Sequence, residues 1–134
     1  MTLPAQAWTI DANGVKGTLN IGTLGSDDGF GNQWFTGTLV YGKAWNISGF
    51  WREAGQEIHF QMNEDAAYAG FQVYDGVLTY TSAFQVFEEI FTWTLAGTYR
   101  THSMTSASAQ PASLNTNLWS AQTTTSQIII EAKT

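Results

Sequence analysis

The stretch FTGTLVYG, residues 35–42, decides the fold because its side chains alternate in character. The odd-numbered residues are apolar, aromatic or glycine, whereas Thr36 and Thr38 are polar. Successive side chains of a β-strand point to opposite faces, so this alternation predicts a half-buried strand. A glycine in mid-strand lowers stability and often marks a sharp bend. The same glycine-centred pattern recurs elsewhere along the chain, in VKGTLNIG (15–22), ISGFWREA (47–54), YDGVLTYT (74–81) and LAGTYRTH (95–102).

Strand signals of this kind extend along most of the chain. Short links such as DANG (11–14) and EAGQ (53–56) separate them, and Asn13–Gly14 is a typical hairpin tip. The stretch 103–127 is rich in Ser, Thr, Ala, Asn and Gln, so we expect a long polar loop there. The predicted strands are 7–11, 15–22, 33–42, 45–52, 56–63, 70–81, 90–102 and a last one within 118–132.

These strands predict an all-β protein, a single domain of residues 1–134 folded as an antiparallel up-and-down barrel of about eight strands. A meander of this length closes readily, because closure removes exposed strand edges. The glycine face of each strand is apolar or aromatic and the opposite face is rich in Thr, so we place the glycines inside. There they relieve crowding and let the strand bend. A barrel of this size is either filled by its own side chains or holds one small ligand, and the sequence leaves both open.

Composition narrows the possible functions. Only 12% of the residues are charged and 14% are aromatic, the net charge is −6, and there is no cysteine. No disulfide or cysteine metal site can form, and the five scattered basic residues disfavour nucleic-acid binding. No apolar run approaches the ~18 residues of a membrane helix, so we expect a soluble protein that does not bind membranes. The start, MTLPAQAW, lacks the features of a signal peptide, so none is expected in this chain; export of a mature form stays open.

Several short motifs occur in the order of a known barrel: Trp8-Thr9 in the first strand, FTGTLVY in the third, an aromatic-x-Gly pattern at 74–76 and TWTLAG at 92–97. This series resembles the avidin and streptavidin barrels, which belong to the calycins. The resemblance implies a calycin-type barrel over about residues 7–102 and binding of a small molecule without catalysis, usually by a tetramer. The first-strand Asn-x-x-Gly-Ser pattern is missing and Ile128–Ile130 provide no carboxylate, so biotin is not predicted as the ligand.

The predicted interior carries large rings whose polar tips need hydrogen-bond partners. Apolar surface with a few aimed polar groups is typical of small-molecule sites. The leading hypothesis is therefore a non-enzymatic binder of a small apolar or aromatic molecule inside the barrel, with no cofactor and no catalytic residue. Alternatively, the same residues form a packed aromatic core without a cavity. Two other functions stay open: an enzyme of the barrel cyclase or isomerase type, and a lectin or assembly module that acts through its outer surface. The predicted ligand-binding residues are Tyr41, Trp51, Tyr74, Tyr80, Trp93 and Tyr99.

The titratable side chains predict neither a metal site nor catalysis. His59 and His102 fall on the predicted outer face, and even with Glu57 beside His59 the spacing is not a metal motif, so we expect solvated histidines. Glu88 and Glu89 are neighbours on a strand and would point to opposite faces. Turn chemistry accounts for the acidic loop GSDDGFGN.

The predicted outer face also carries large apolar residues. Clustered exposed apolar side chains mark interfaces, and this chain has few charges to cover its surface. We therefore expect a homo-oligomer, either a dimer or a tetramer, with scattered surface residues as the alternative. The interface residues would be Trp34, Phe50, Val73 and Val77.

Overall fold

The structure, a computed structural model, describes residues 2–63, 71–104 and 111–129. These residues form a closed antiparallel barrel in which each strand pairs with the next and β8 pairs with β1, which confirms the predicted all-β up-and-down fold. Within the described ranges no helix is long and apolar enough to cross a membrane. The strands are β1 (Ala7–Ala12), β2 (Val15–Ile21), β3 (Asn32–Tyr41), β4 (Lys43–Arg52), β5 (Glu57–Asn63), β6 (Phe71–Gln85), β7 (Glu88–Met104) and β8 (Pro111–Ile128).

The two predicted faces are the inside and the outside of the barrel. In β3, Phe35 and Leu39 are buried, whereas Trp34 and Thr36 are exposed. Burial of such apolar surface is the main driving force for folding. No charged or polar residue is buried in the part of the chain that the structure describes. The largest fully buried side chains include Trp8, Trp51, Tyr74, Leu39, Ile58 and Leu95.

The interior glycines are required by the close approach of neighbouring strands. A Cβ atom at Gly37 would overlap the carbonyl oxygen of Asn20 in β2, and one at Gly97 would overlap the carbonyl oxygen of Asp75 in β6. A glycine in such a place lets the strand bend sharply into the curve of a small barrel. The space beside Gly37, the glycine of FTGTLVYG, is therefore occupied by the main chain of the neighbouring strand β2.

The prediction of a long polar loop at 103–127 is wrong, because β7 continues to Met104 and β8 covers residues 111–128. Residues 105–110 lie outside the described ranges. Thr is enriched in strands, and Ser and Thr suit the solvated outer face of a sheet. The inward-facing Trp119 and Ala121 are buried and give β8 its apolar face. Composition alone therefore misidentified a strand with a polar outer face as a loop.

The two ends of the barrel differ. One end holds the β1–β2 and β3–β4 turns, and we term it the phenol end after the tyrosines described below. At the opposite end, β6, β7 and β8 continue past their outer neighbours β5 and β1. This three-stranded extension consists of residues 79–85, 88–93 and 123–128.

The N-terminal segment, residues 2–6, covers the interior at the extension end. Leu3 is 2% exposed and belongs to the core. Trp8 Nε1 donates a hydrogen bond to the Pro4 carbonyl oxygen at 3.1 Å, and Gln6 Nε2 donates to the Thr124 carbonyl oxygen at 2.9 Å. These bonds fasten the segment to both the barrel and the extension.

Candidate functional site

Three of the predicted ligand-binding residues come together at the phenol end. Tyr74 in β6 pairs with Tyr99 in β7, and their rings stack with centroids 4.9 Å apart. The Tyr41 hydroxyl oxygen at the end of β3 lies 3.3 Å from that of Tyr74. The Tyr74 hydroxyl donates to Gln72 Oε1 at 2.6 Å, and Gln72 Nε2 donates to Thr101 Oγ1 at 3.4 Å. A chain of polar groups therefore crosses the interior from β3 to β7.

Below these hydroxyls the barrel is filled by stacked rings. Phe60 and Tyr74 stack almost parallel, with centroids 4.6 Å apart. Trp119 meets both rings edge-on, at 5.7 Å from Phe60 and 5.6 Å from Tyr74. Such aromatic pairs contribute about 0.5–1.5 kcal/mol each beyond the burial of their area. At this level the barrel is therefore closed by its own side chains, and a ligand would have to lie nearer the end.

Burial governs the ionisation of the three phenols. It raises the pKa of Tyr74 far above the ordinary value of 10.0, and the neighbouring hydroxyls of Tyr41 and Tyr99 raise it further. Burial also raises the pKa of Tyr41 and of Tyr99. Loss of water disfavours the charged form of a phenol. All three hydroxyls therefore stay protonated at neutral pH, as neutral donors and acceptors.

The raised pKa values predict a loss of stability in alkaline solution. A tyrosine of the unfolded chain titrates near pH 10, so the unfolded chain releases its protons first as the pH rises. We therefore expect the free energy of unfolding to be independent of these three tyrosines below about pH 9 and to fall above about pH 10. The fall should be up to ~1.4 kcal/mol per pH unit for a buried group such as Tyr74. Urea unfolding at a series of pH values measures the effect. Tyr74→Phe should reduce the alkaline loss, and an unchanged profile in that variant would contradict the assignment.

Tyr80 and Trp93 do not join the phenol cluster. Tyr80 follows Tyr74 by six positions in β6, which separates the two residues by about 20 Å along the strand. Its ring lies 5.2 Å from Trp93 and 5.8 Å from Phe91, and it is 46% exposed. Trp93 is buried and donates from Nε1 to Thr125 Oγ1 at 2.7 Å. The predicted set of site residues is thus divided between the two ends of the barrel.

Trp51, the remaining predicted residue, is fully buried in β4. Its Nε1 donor has no hydrogen-bond partner among the described residues. By contrast, the indole N–H groups of Trp8, Trp93 and Trp119 each donate a hydrogen bond. An unpaired buried donor costs about 1–3 kcal/mol, so Trp51 is an interior position where an acceptor would be strongly favoured.

Sequence reasoning missed several residues of the phenol end. Trp119 lies within the stretch predicted to be a polar loop. The apolar residues Trp119 and Ala121 alternate with the polar Ser120, and this alternation is a strand signal. Its Nε1 donates to the carbonyl oxygens of both Asp75 and Thr98, at 3.1 Å each. Gln72 and Thr101 are polar, so the pattern of apolar residues does not mark them as inner-face positions. Each lies on the same face as a predicted tyrosine, two residues away, which was the available signal.

The outer face of β4, β5 and β6 carries His59 in a network of ring and charged neighbours. Phe50 stacks on the imidazole with centroids 4.8 Å apart. His59 Nδ1 lies 2.5 Å from Asp75 Oδ1, and Nε2 lies 3.7 Å from Glu57 Oε2. Within the described ranges no group of three or more candidate ligands is arranged to hold a metal ion. His59 is thus on the outer surface, as predicted, and is held by Asp75; the side chain of His102 lies outside the described part.

The acidic loop before β3 uses its own carboxylates. Asp27 accepts a hydrogen bond from the Gly29 N–H at 2.7 Å, and Asp28 accepts one from the Phe30 N–H at 2.8 Å. These bonds are the turn chemistry predicted for this stretch.

The predicted oligomer interface is only partly exposed. Trp34 and Val77 are 54% and 50% exposed, whereas Phe50 and Val73 are half-buried. The Trp34 and Phe50 rings contact each other with centroids 5.1 Å apart. Association through this face stays a prediction.

An open depression lies on the outer surface beside the β1–β2 turn. Its volume is about 620 Å³. Exposed Leu118 and Ala96 provide apolar contacts, while Asp11, Asn13 and Ser120 provide polar groups. A concave surface of this volume is within the range of small-ligand sites.

No protein-family model matches the chain, and no curated protein matches it. The closed antiparallel barrel is consistent with a calycin-like or avidin-like architecture. A barrel of this kind does not by itself imply a function, because function depends on the residues of a particular site.

Proposed function

We propose that this protein binds a small, neutral, aromatic or largely apolar molecule at the phenol end of its barrel, without catalysing a reaction. The observation that carries the proposal is the hydrogen-bonded chain from Tyr41 through Tyr74 to Gln72, set among aromatic rings. A few aimed polar groups within apolar surface are typical of small-molecule sites.

The electrostatics of the interior favour an uncharged ligand. The phenols of Tyr41, Tyr74 and Tyr99 are kept neutral by burial, which raises the pKa of each. No charged residue among the described ones is buried, so a ligand ion would have no partner inside. Removing an unpaired ion from water costs several kcal/mol. A neutral ring system with one or two hydrogen-bonding groups fits these conditions.

The stacked rings limit how far such a ligand can enter. Tyr41 and Trp45 are only partly buried and pack against the core, so they present ring surface near the end of the barrel. The Lys43 ammonium lies 4.5 Å from the Trp45 ring centroid and covers one side of that ring. A planar ligand would stack on the remaining ring surface and exchange a hydrogen bond with the Tyr41 hydroxyl.

Binding is favoured over catalysis by the state of the polar groups. General acid–base catalysis works best with groups whose pKa lies near the working pH. The phenols of Tyr41, Tyr74 and Tyr99 have pKa values raised away from that range. They are therefore suited to orienting a ligand rather than to transferring its protons.

Tyr41→Phe tests the proposal, because it removes the hydroxyl and keeps the ring. Loss of one hydrogen bond of about 0.5–1.5 kcal/mol should weaken binding roughly 2- to 12-fold. Titration of the intrinsic tryptophan fluorescence with neutral planar compounds that do not themselves emit at the tryptophan wavelengths, such as benzamide derivatives, measures the affinity of each variant.

Tyr80→Phe is the matched control for that titration. It removes the same hydroxyl from the extension end, about 20 Å away along β6, and should leave the affinity unchanged. A ligand weakened by Tyr80→Phe and not by Tyr41→Phe would contradict the proposal, as would a library in which no compound changes the fluorescence.

Binding through the outer surface is the second candidate function, and the depression beside the β1–β2 turn favours it. Its mixture of apolar and polar groups suits a ligand such as a sugar, which has both kinds of surface. A ligand that still binds the Tyr41→Phe variant but not a Leu118→Lys variant would occupy this depression, because Leu118 lines it and is 73% exposed.

A further inference from the structure

In the extension, one edge of β6 has no partner strand among the described residues. On the side that faces β5, its pairing ends with Val77 opposite Glu57, followed by a hydrogen bond from the Leu78 N–H to the Gln56 carbonyl oxygen at 2.8 Å. Beyond that bond, none of the described residues pairs with residues 79–85 on this side. An open edge is a row of unpaired N–H and C=O groups that can accept another strand.

The direction of the last hydrogen bond identifies the unpaired groups. Backbone groups of alternate residues point to opposite sides of a strand. Since the Leu78 N–H points toward β5, the backbone groups of Tyr80, Ser82 and Phe84 point the same way. The pairing with β7 is regular along this whole segment, so no bulge changes the alternation. Each chain therefore offers three N–H and three C=O groups at the edge.

This edge lacks the devices that normally block strand addition. Its sequence, TYTSAFQ, contains no proline and no charged residue, and such residues are the usual protection of an edge. The other edge of the extension, in β8, is partly covered. There Thr123 Oγ1 donates to the Ala7 carbonyl oxygen at 2.8 Å, and Gln6 Nε2 donates to the Thr124 carbonyl oxygen at 2.9 Å.

The sequence of the edge is also symmetric about its centre. Ser82 is flanked at equal distance by two large rings, Tyr80 and Phe84, on the same inner face. These rings are 46% and 72% exposed. If a second copy of this segment pairs with it in the antiparallel direction around Ser82, Tyr80 of each copy lies directly opposite Phe84 of the other.

We propose that residues 79–85 form the dimer interface of this protein and that the strand added there is the same segment of a second copy. Around a two-fold axis at Ser82, Tyr80 lies opposite Phe84 of the partner subunit, and the two extensions join into one continuous sheet. A two-fold axis makes the same patch serve both subunits, and cross-strand aromatic pairs add stability. The interface is distinct from the outer face of Trp34 and Phe50.

A cysteine at the axis tests this geometry directly, because the chain has no other cysteine. In a hydrogen-bonded antiparallel pair the Cα atoms lie about 5.5 Å apart, within the range that a disulfide spans. Mild oxidation of Ser82→Cys should convert most of the protein to a covalent dimer, with a doubling of mass on non-reducing electrophoresis. Ser126→Cys, on the opposite edge of the extension, should stay largely monomeric under the same conditions. Equal cross-linking of the two variants would overturn the proposal.

Proline variants test the same edge without a covalent bond. Ser82→Pro removes an N–H that faces the open edge and does not bond to β7, so it should halve the mass measured by light scattering. Ser126→Pro is the matched control, because the Ser126 N–H also faces away from β7. The Leu118 carbonyl oxygen accepts a hydrogen bond from the Asn13 N–H, so the backbone groups of Leu118 face β1. Ser126 is an even number of residues from Leu118 along β8, so its backbone groups face the same side. A wild-type chain that is monomeric at all concentrations, or a folded Ser82→Pro dimer, would overturn the proposal. If Ser82→Pro does not fold, the cysteine pair still decides.

Discussion

Gly97→Ala is expected to destabilise the barrel by about 3 kcal/mol or more, or to prevent folding altogether. The added methyl group would overlap the Asp75 carbonyl oxygen and lie 2.7 Å from the Gly76 Cα atom. Both obstacles are backbone atoms, which cannot rotate away as a side chain can. Relief would require β6 and β7 to separate at the point where Gly76 and Gly97 pair. Urea unfolding followed by circular dichroism measures the loss.

Gly25→Ala is the control for this substitution. Gly25 lies in the loop between β2 and β3, and the nearest obstacle to its methyl group is the Trp34 carbonyl oxygen at 3.3 Å. We expect it to cost less than about 1 kcal/mol, because a small shift of the loop relieves the contact. A Gly97→Ala protein that unfolds at the wild-type urea concentration would show that the two strands are not as close as described.

Trp119→Ala is expected to cost about 3–5 kcal/mol, the usual range for removing a buried tryptophan. The ring is 3% exposed and contacts Phe60 and Tyr74 edge-on, so its loss leaves a cavity beside the central stack. It also leaves the Asp75 and Thr98 carbonyl oxygens without the indole N–H that donates to both. Denaturant unfolding gives the change in free energy.

Leu118→Ala provides a matched comparison at the adjacent position. Leu118 is 73% exposed on the outer face, so its truncation should change stability by less than about 0.5 kcal/mol. Similar losses at 118 and 119 would mean that β8 does not direct Trp119 into the barrel. That outcome would restore the loop interpretation of this segment.

The architecture could be predicted from the sequence because one face of nearly every strand is apolar. Alternation in FTGTLVYG and its repeats identified the inner face, and closure of the meander followed from the number of strands. The last strand, predicted within 118–132, is confirmed from residue 118 to 128, but its first part, 111–117, is not predicted, because the Ser, Thr and Asn content of this segment is also typical of a loop. The strands of the β6–β7 hairpin are longer than predicted, because its tip, Val86–Phe87, contains none of the residues typical of a turn. Phe87 instead adopts a left-handed φ of 61°, which is uncommon for residues other than glycine.

The candidate site was less predictable than the fold. Alternation tells which face a tyrosine occupies, but it does not tell at which level of the barrel its ring lies. Tyr74 and Tyr80 share a face and were grouped together, yet one is fully buried at the phenol end and the other is 46% exposed in the extension. That difference depends on where neighbouring strands end, which is set by pairing across the whole barrel.

The fit between Gly76 and Trp119 restricts how this protein can evolve. A Cβ atom at position 76 would lie 2.7 Å from Trp119 Cζ2, so the indole occupies the place of the side chain that the glycine lacks. Residues in contact change stability non-additively. A descendant sequence can therefore gain a side chain at position 76 only after the ring at position 119 has been replaced by a smaller one. The reverse order of substitution passes through a form that does not pack.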